Sequence, residues 1–389
     1  MEIKLAELNE VPLLSEIEGN IPLFKPHIPK NAMAEMESTL NSRWIGQGPK
    51  VDLFEKIFAE RFCGGDPGIA VGSGTDALHL AYLLAGIEPG DEVITPVFTC
   101  TATNIPLLYI GAVPVFADIE PGTLNIDPNG IEKLITPKTK AIVVVHYGGL
   151  PCDMSKIQDI ARRHRLLVIE DAAHAVGAKF QNQSVGEISD FTMFSFQAIK
   201  HITTGDGGYL SFKNPALLEK AKRLRWFGID RSAKQLGIWE NDITEIGFKY
   251  QMTDLGASIG LASLEEFPET LAYRRELFSQ YLSLLKEESN LTILSKESPG
   301  TYHAAWLFTI RTPFRRDLQS HLAKFGIETN QVHYRNDRYQ IMGPRRKNLP
   351  NMDEIENDYL VLPLHTRMTP TDVTRICSLI NEFFETIRK

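Results

Sequence analysis

The chain has 389 residues, 43% hydrophobic and 23% charged, a balance that excludes a wholly disordered polymer and allows two to three domains at about 150 residues each. A net charge of −8 without a long basic run excludes a general nucleic-acid or anionic-membrane surface, though not one small anionic ligand. Apolar runs such as residues 141–145 fall far short of the roughly 18 needed for a membrane span, and the acidic start (Glu2, Glu7, Glu10, Glu16, Glu18) is unlike a secretory leader.

Val51, Phe54, Phe58 and Phe62 recur at helical spacing and predict the first clear helix. A very short strand at 68–71 leads into Gly72-Ser73-Gly74-Thr75-Asp76, and a helix is predicted over 77–86. Apolar, β-branched runs then predict strands at 92–94, 113–117, 141–145, 166–169 and 191–196. Continuous apolar strands joined by helices imply an α/β sandwich with a mostly parallel sheet covered on both faces. After about residue 265 the texture changes. A long charged helix is predicted over 265–287, a half-buried strand over 305–311 with Trp306, Phe308 and Ile310 alternating, and amphipathic helices over 317–325 and 370–387. The expected division is an N-terminal arm (1–30), a large domain (31–265) and a smaller α+β domain (266–389).

Cys63, Cys100, Cys152 and Cys377 lie far apart without CxxC spacing, which resembles neither a zinc site nor a disulfide framework. Each is expected to be buried filler, no metal site is expected, and the reducing cytoplasm is the expected compartment.

Open parallel sheets bind ligands at the carboxyl ends of their strands. There the sequence places Asp118, His146-Tyr147, Glu170-Asp171 and Ser195; any one could be a turn residue, but four in succession point to a shared crevice. Gly72-Ser73-Gly74-Thr75-Asp76 before a helix reads either as a phosphate cradle or as a tight turn capped by Thr75 or Asp76. Gly72, Gly74 and Ala77 also fit the dinucleotide pattern GxGxxA. That pattern needs an acid closing the second strand, whereas Asp91 and Glu92 open it, so a nicotinamide enzyme is disfavoured. Glu170 and Asp171 end a buried strand, where a carboxylate is costly unless paired. Lys200 follows an aromatic strand and is either a solvated lysine or a desolvated nucleophile toward carbonyls. A phosphate cradle, a buried acid and an amine are together the parts of a pyridoxal phosphate site.

Five ordered motifs between Trp44 and Leu264 add a resemblance. They are Trp44-Ile45-Gly46 with Gly48-Pro49; Gly72-Ser73-Gly74-Thr75-Asp76-Ala77-Leu78; Glu170-Asp171-Ala172-Ala173-His174; Phe194-Ser195-Phe196 with Lys200 and Thr203-Thr204-Gly205-Asp206-Gly207-Gly208; and Gly247-Phe248-Lys249-Tyr250-Gln251-Met252-Thr253-Asp254. Together they resemble the nucleotide-sugar aminotransferases of the DegT/DnrJ/StrS type, which are fold-type-I pyridoxal phosphate enzymes. The resemblance implies that Lys200 is the Schiff-base lysine and proton shuttle, that Asp171 pairs with the pyridine nitrogen, and that His174 lies near the phenolic oxygen. It implies phosphate contacts from Gly74, Thr75 and Ser195, and places Lys249 where family members reach the neighbouring subunit's phosphate, hence a homodimer. Two positions depart from the pattern: Cys100 occupies a slot that often holds an aromatic ring against the cofactor, and Gln197 stands where histidine is common.

The implied reaction is ping-pong, with glutamate as expected donor, pyridoxamine phosphate as the aminated cofactor and a keto group on a nucleotide-linked sugar as acceptor. Arg231, His333, Tyr334 and Arg335, with Asn336-Asp337-Arg338, offer donors suited to a sugar diphosphate, or form a solvated basic loop. His365 reads as structural. Dehydratases of the family replace the lysine with histidine, and Lys200 is retained here, which favours transamination. Amination of a free keto-sugar or sugar acid, a non-catalytic cofactor-binding regulator and a nicotinamide dehydrogenase compete with this reaction.

Overall fold

Seven short strands form the central sheet: β1 (Gly68–Val71), β2 (Glu92–Pro96), β3 (Val113–Ala117), β4 (Thr139–Val145), β5 (Leu167–Asp171), β6 (Phe191–Ser195) and β7 (Gly208–Phe212). Across the sheet the order is β1-β7-β6-β5-β4-β2-β3. Strands β2 to β6 pair in parallel, while β7 runs antiparallel to both β1 and β6. This computed structural model describes residues 19–231, 233, 237–240 and 242–387; residues 1–18, most of the expected N-terminal arm, lie outside them. Burial on both faces explains the apolar runs at 141–145 in β4 and 167–169 in β5, and the apolar Phe191, Met193 and Phe194 of β6. The strand β7 has no counterpart among the predicted strands, because Gly208 and Ser211 interrupt its apolar run.

The main helices are α1 (Ala32–Ser42), α2 (Pro49–Phe62), α3 (Gly74–Leu84), α4 (Thr101–Tyr109), α5 (Met154–His164), α6 (Leu218–Arg225), α7 (Asp254–Leu284), α8 (Arg315–Ala323) and α9 (Pro370–Ile387). Helix α2 opens on Pro49, and its first amides are capped from far away: Gly48, Lys50 and Val51 donate N–H bonds to the Asp254 carboxylate at 2.8, 3.1 and 3.1 Å. The first and last of the five sequence motifs are thereby bonded to each other.

The buried face of α2 carries Val51, Phe54, Phe58 and Phe62. Phe58 is the hub of an aromatic cluster, with centroids 4.7–5.7 Å from Phe54, Phe62, Phe194, Phe196 and Tyr209. Phe194 and Phe196 flank Ser195, so this cluster also fixes the end of β6. Phe58→Ala is expected to destabilise the fold by about 3–5 kcal/mol, since it removes the ring that the five others pack against. Urea unfolding should show a lower midpoint at unchanged slope; a wild-type midpoint would contradict the role assigned to the cluster.

Helix α7 starts at Asp254, earlier than the predicted 265, because its first turns carry small residues (Ala257, Ser258, Gly260, Ala262) that pack closely on α1 and α2 instead of showing a charged face. Its early part joins the core of the large sheet through Phe267 and Leu271, and its later part joins a second core through Leu277, Phe278 and Tyr281. Position 265 lies inside this unbroken helix. The second core is built on the antiparallel strands β8 (Thr292–Ile293), β9 (Phe308–Arg311) and β10 (Tyr359–Leu362), together with residues from α8 and α9. Strand β9 begins at Phe308 and not at 305, because Ala305 takes a left-handed backbone (φ 52°) that ends pairing and turns Trp306 out of the strand.

Candidate active site

A cavity of about 380 Å³ opens at the carboxyl ends of β5 and β6, beside the first turns of α3 and α4. Gly74, Thr75, Cys100, Asp171, His174, Ser195, Lys200 and His333 all line it. The strand-end residues expected to converge do so only in part. Asp171 and Ser195 reach the cavity, whereas Asp118 accepts N–H bonds from Asn351 and Met352 and so caps another segment. Strand alternation sends Glu170 to the opposite face of the sheet, where it meets His146 Nε2 at 2.7 Å in a fully buried pair. The Cys152 N–H donates to His146 Nδ1, so Nε2 carries the hydrogen given to Glu170.

At one end of the cavity Ser73 caps α3, its Oγ accepting the Asp76 N–H at 3.0 Å from an extended backbone. The Gly74 and Thr75 amides lie ahead of the first intrahelical bond, which leaves them and the helix dipole available to an anion. Strand β7 passes close beneath this turn: a Cβ on Gly208 would stand 2.5 Å from the Ser73 carbonyl oxygen. Only glycine permits that approach. Asp91 and Glu92, which a dinucleotide site would require nearby, instead bond Glu88 N–H and Thr136 Oγ1 at the start of β2.

Asp171 is 4% exposed and lies at the end of β5. Its Oδ2 accepts the Thr103 hydroxyl at 2.7 Å and its Oδ1 the Ala173 N–H at 3.1 Å. Because Thr103 donates there, the 2.7 Å contact between Thr99 and Thr103 hydroxyls must run from Thr99 to Thr103. Burial pushes the Asp171 carboxyl up from its ordinary range, against the pull of the Thr103 bond. Lys200 is half-buried at the cavity wall, and burial pushes its amine down to about 7, opposed by Cys100 and Asp171.

The aromatic wall comes from the C-terminal half. Trp306 stacks on His174 with centroids 3.7 Å apart, and Lys200 Nζ sits 3.6 Å from the Trp306 ring centroid. His333 lies parallel to His174 at 5.1 Å, with their Nε2 atoms 3.3 Å apart. The Gly148 N–H donates to His174 Nδ1, so the His174 hydrogen is on Nε2. Burial and the Lys200 charge hold His174 well below the usual histidine range and His333 at about 3, so both rings are neutral at pH 7. Segment 334–335 is stitched to residues 98–99, and Asn336 donates to the Thr99 carbonyl, which brings His333 to the cavity.

Other expected site residues lie elsewhere. Arg335 is buried and pairs with Asp337, Asp353 and Glu356, which takes its guanidinium away from any sugar diphosphate; Asn336 and Asp337 are likewise buried in internal bonds. This corrects the expectation of a basic substrate loop there. Tyr334 and Arg338 border a separate cavity. Arg231 lines another, near Trp44, where it donates to the Gln47 carbonyl at 2.9 Å and lies 4.3 Å from the Trp226 ring. Lys249 is exposed beside the same Trp226, outside the cofactor cavity of its own chain. Cys63, Cys152 and Cys377 are buried, but Cys100 is exposed as the cap of α4, contrary to its reading as filler. Phe98 is buried against Tyr147 and Tyr359, and so is not the ring that faces a cofactor. His365 takes no part in the cavity; its Nε2 bonds the Pro22 carbonyl.

Sequence reasoning missed Thr103 and Trp306. Thr103 carries no signal beyond being a threonine at the start of a helix, and Trp306 sits in an apolar alternation that reads as core. Among the described residues no group of three or more His, Cys, Asp or Glu side chains is placed to hold a metal ion, and no helix is long and apolar enough to cross a membrane.

The donor set fits pyridoxal phosphate. An anion cradle lies at one end, a neutral-leaning amine at the side, and a buried carboxylate whose hydrogen-bond donors are both uncharged is left to face a cationic ring nitrogen.

Known proteins agree with that fit. SpsC, a spore coat polysaccharide biosynthesis protein of Bacillus subtilis, is 35% identical over 377 residues, 93% of this chain and 96% of that protein. GDP-perosamine synthase of Caulobacter vibrioides is 36% identical over 372 residues, 93% of this chain and 98% of the synthase. The PMP form of Spr1654 from Streptococcus pneumoniae superposes with a TM-score of 0.89 at 30% identity, covering 95% of this chain and all of that one. A family model matches residues 26–381, and on that match, with the cavity that its motifs build, the chain belongs to the DegT/DnrJ/EryC1/StrS aminotransferase family.

Proposed function

We propose that this aminotransferase moves an amino group from glutamate to the keto group of a nucleotide-linked sugar, with Lys200, Asp171 and His174 as its catalytic residues. Its cofactor is pyridoxal phosphate, which when bound supplies an aldehyde that joins amines and a ring that accepts the electrons of a broken C–H bond. The observation that carries the proposal is Lys200: a single amine held near neutrality in the same cavity as an uncompensated carboxylate and a helix N-terminus.

Lys200 Nζ would take the proton from the donor's α-carbon and return it to the cofactor carbon on the far side of the amino nitrogen, which suits a group whose pKa lies near the working pH. The Asp171 carboxylate holds the proton on the ring nitrogen, and Thr103 and Thr99 hold Asp171. The α3 amides at Gly74 and Thr75, with Ser195, bind the phosphate, while His174 serves the phenolic oxygen. Trp306 and His333 close one wall and keep water from the reacting carbon. The sugar assignment is supported by the likeness to GDP-perosamine synthase and SpsC.

The same reading makes the enzyme a homodimer with shared sites. Exposed Met33, Trp44, Ile45 and Phe227 supply apolar surface for an interface, and Lys249 and Arg231, which stay out of their own cavity, would serve the partner's phosphate and substrate. A large and a smaller domain that share helix α7, the expected division near residue 265 falling inside it, and the cytoplasm as compartment for four free thiols complete the reading.

Holoenzyme treated with glutamate should lose its visible absorbance and then regain it when a nucleotide-linked keto-sugar is added, the product gaining an amino group by mass. Absorbance that persists with every amino donor tried would overturn the proposal and favour a regulator. Recovery with free keto-sugars alone would overturn the nucleotide-sugar assignment.

A further inference from the structure

We propose that Arg274, outside the cofactor cavity, is a positioning residue for Lys200 that acts through the backbone carrying Trp306. The inference rests on the role proposed above for Lys200. Arg274 projects from α7 and is 5% exposed. Its Nε donates to the Ala305 carbonyl at 3.0 Å, and its Nη2 donates to the Trp306 and Leu364 carbonyls at 2.9 and 2.8 Å. Burial lowers its pKa to about 10, and among the described residues no carboxylate opposes this. A buried cation answered, among the described residues, by three carbonyls is an expensive feature of a fold, and two of those carbonyls belong to the segment beside the reactive amine.

That segment is strained and clamped. Ala305 holds φ at 52°, a conformation a side chain with Cβ resists, and its N–H donates to His303 Nδ1 at 2.7 Å. On one side, Ala304, Trp306 and Leu307 donate N–H bonds to Gly149 and Gly148 carbonyls. On the other side stands Arg274, and between them His201 Nε2 bonds the Ala304 carbonyl at 2.7 Å. The clamp delivers Trp306 to Lys200 twice over: the indole face lies under Nζ at 3.6 Å, and the indole N–H donates to the Ile199 carbonyl at 3.2 Å. Releasing Arg274 frees both carbonyls and lets Ala305 relax, so Trp306 and then Lys200 shift.

Arg274 also acts by charge. The groups facing the Lys200 amine are Asp171 and Cys100, which raise its pKa, the neutral rings of His174, His201 and His333, and the Arg274 cation, which lowers it. Position and charge separate in two variants. Arg274→Lys keeps the cation and loses the planar fork, whereas Arg274→Met loses both.

In Arg274→Met holoenzyme we expect kcat for the glutamate half-reaction to fall about 100-fold, as for a displacement near 1 Å, with little change in KM. The acid limb of its pH profile should move to higher pH, because removing a nearby cation favours the ammonium form. In Arg274→Lys the same limb should stay in place while kcat falls. The cofactor-free proteins give an independent readout: Trp306 emission, taken as the difference from Trp306→Phe because the chain has four tryptophans, should shift to longer wavelength in both variants. Wild-type kcat, pH limb and Trp306 emission in Arg274→Met would overturn the inference. If that variant fails to fold, Arg274→Lys decides: a tenfold or larger loss of kcat with a red-shifted Trp306 upholds it, and wild-type values overturn it. A wild-type enzyme that does not respond to glutamate would sink the proposed function instead, and Trp306 emission would still decide the clamp.

Discussion

Replacing Lys200 with alanine is expected to lower transamination by about 10⁴-fold, the upper end for loss of one acid–base group, and to end covalent attachment of the cofactor. Pyridoxal phosphate should still bind the variant, since Gly74, Thr75, Ser195 and Asp171 are untouched. Borohydride treatment and peptide mapping make the difference plain: the wild type should retain the cofactor on the peptide containing Lys200, and the variant on none. Turnover near the wild-type rate in Lys200→Ala would contradict the assignment. The pH dependence has a definite sign. Burial lowers the amine to about 7, and only the neutral amine adds to an aldehyde. Recombination of pyridoxal phosphate with cofactor-free wild type should therefore rise about tenfold per pH unit below that midpoint and level off above it. The same variant tests the shared site. Mixed with Lys249→Ala chains, it should regain about a quarter of wild-type activity, because half the dimers are mixed and each of those has one intact site.

Asp171→Asn is expected to cost about 10²–10³-fold in kcat, the loss typical of one preorganised electrostatic contact. Asparagine keeps the shape of the side chain and a bond to Thr103, so the fold and the cavity should survive. What disappears is the negative charge, and a neutral amide does not hold a proton on the ring nitrogen. The penalty should appear in the glutamate half-reaction and not in the stability of the cofactor-free protein. Removing a buried carboxyl whose charge is disfavoured there should leave that stability unchanged or raise it. An Asn variant with wild-type turnover would remove Asp171 from the mechanism.

Much of the large sheet was legible because strands buried on both faces carry apolar runs along their middles, as β4 does over 141–145 and β5 over 167–169. The helix after Gly72-Ser73-Gly74 was legible for a different reason, since glycine and serine at a strand–helix junction have few other uses. Long-range bonds were not legible. Nothing local marks Glu170 as the partner of His146, or Arg335 as the centre of an internal acid network, and a basic loop looks the same in sequence whether its charges face solvent or one another. Trp306 was misplaced because its alternation with Phe308 and Ile310 holds only if the backbone stays extended, and Ala305 breaks that condition with no glycine to announce it.

The 31-residue helix α7 serves both cores at once, gripping α1 and α2 early and the C-terminal elements late. An α-helix advances about 1.5 Å and turns about 100° with each residue, so the number of residues between its two docking faces acts as a phase setting. Substitutions along its outer stripe leave that phase intact, whereas a single inserted or deleted residue between Leu271 and Leu277 would swing the second core around the rod and carry Arg274, or its carbonyl partners, out of register. The length of this helix is thus less free to change than the chemistry of its outer face.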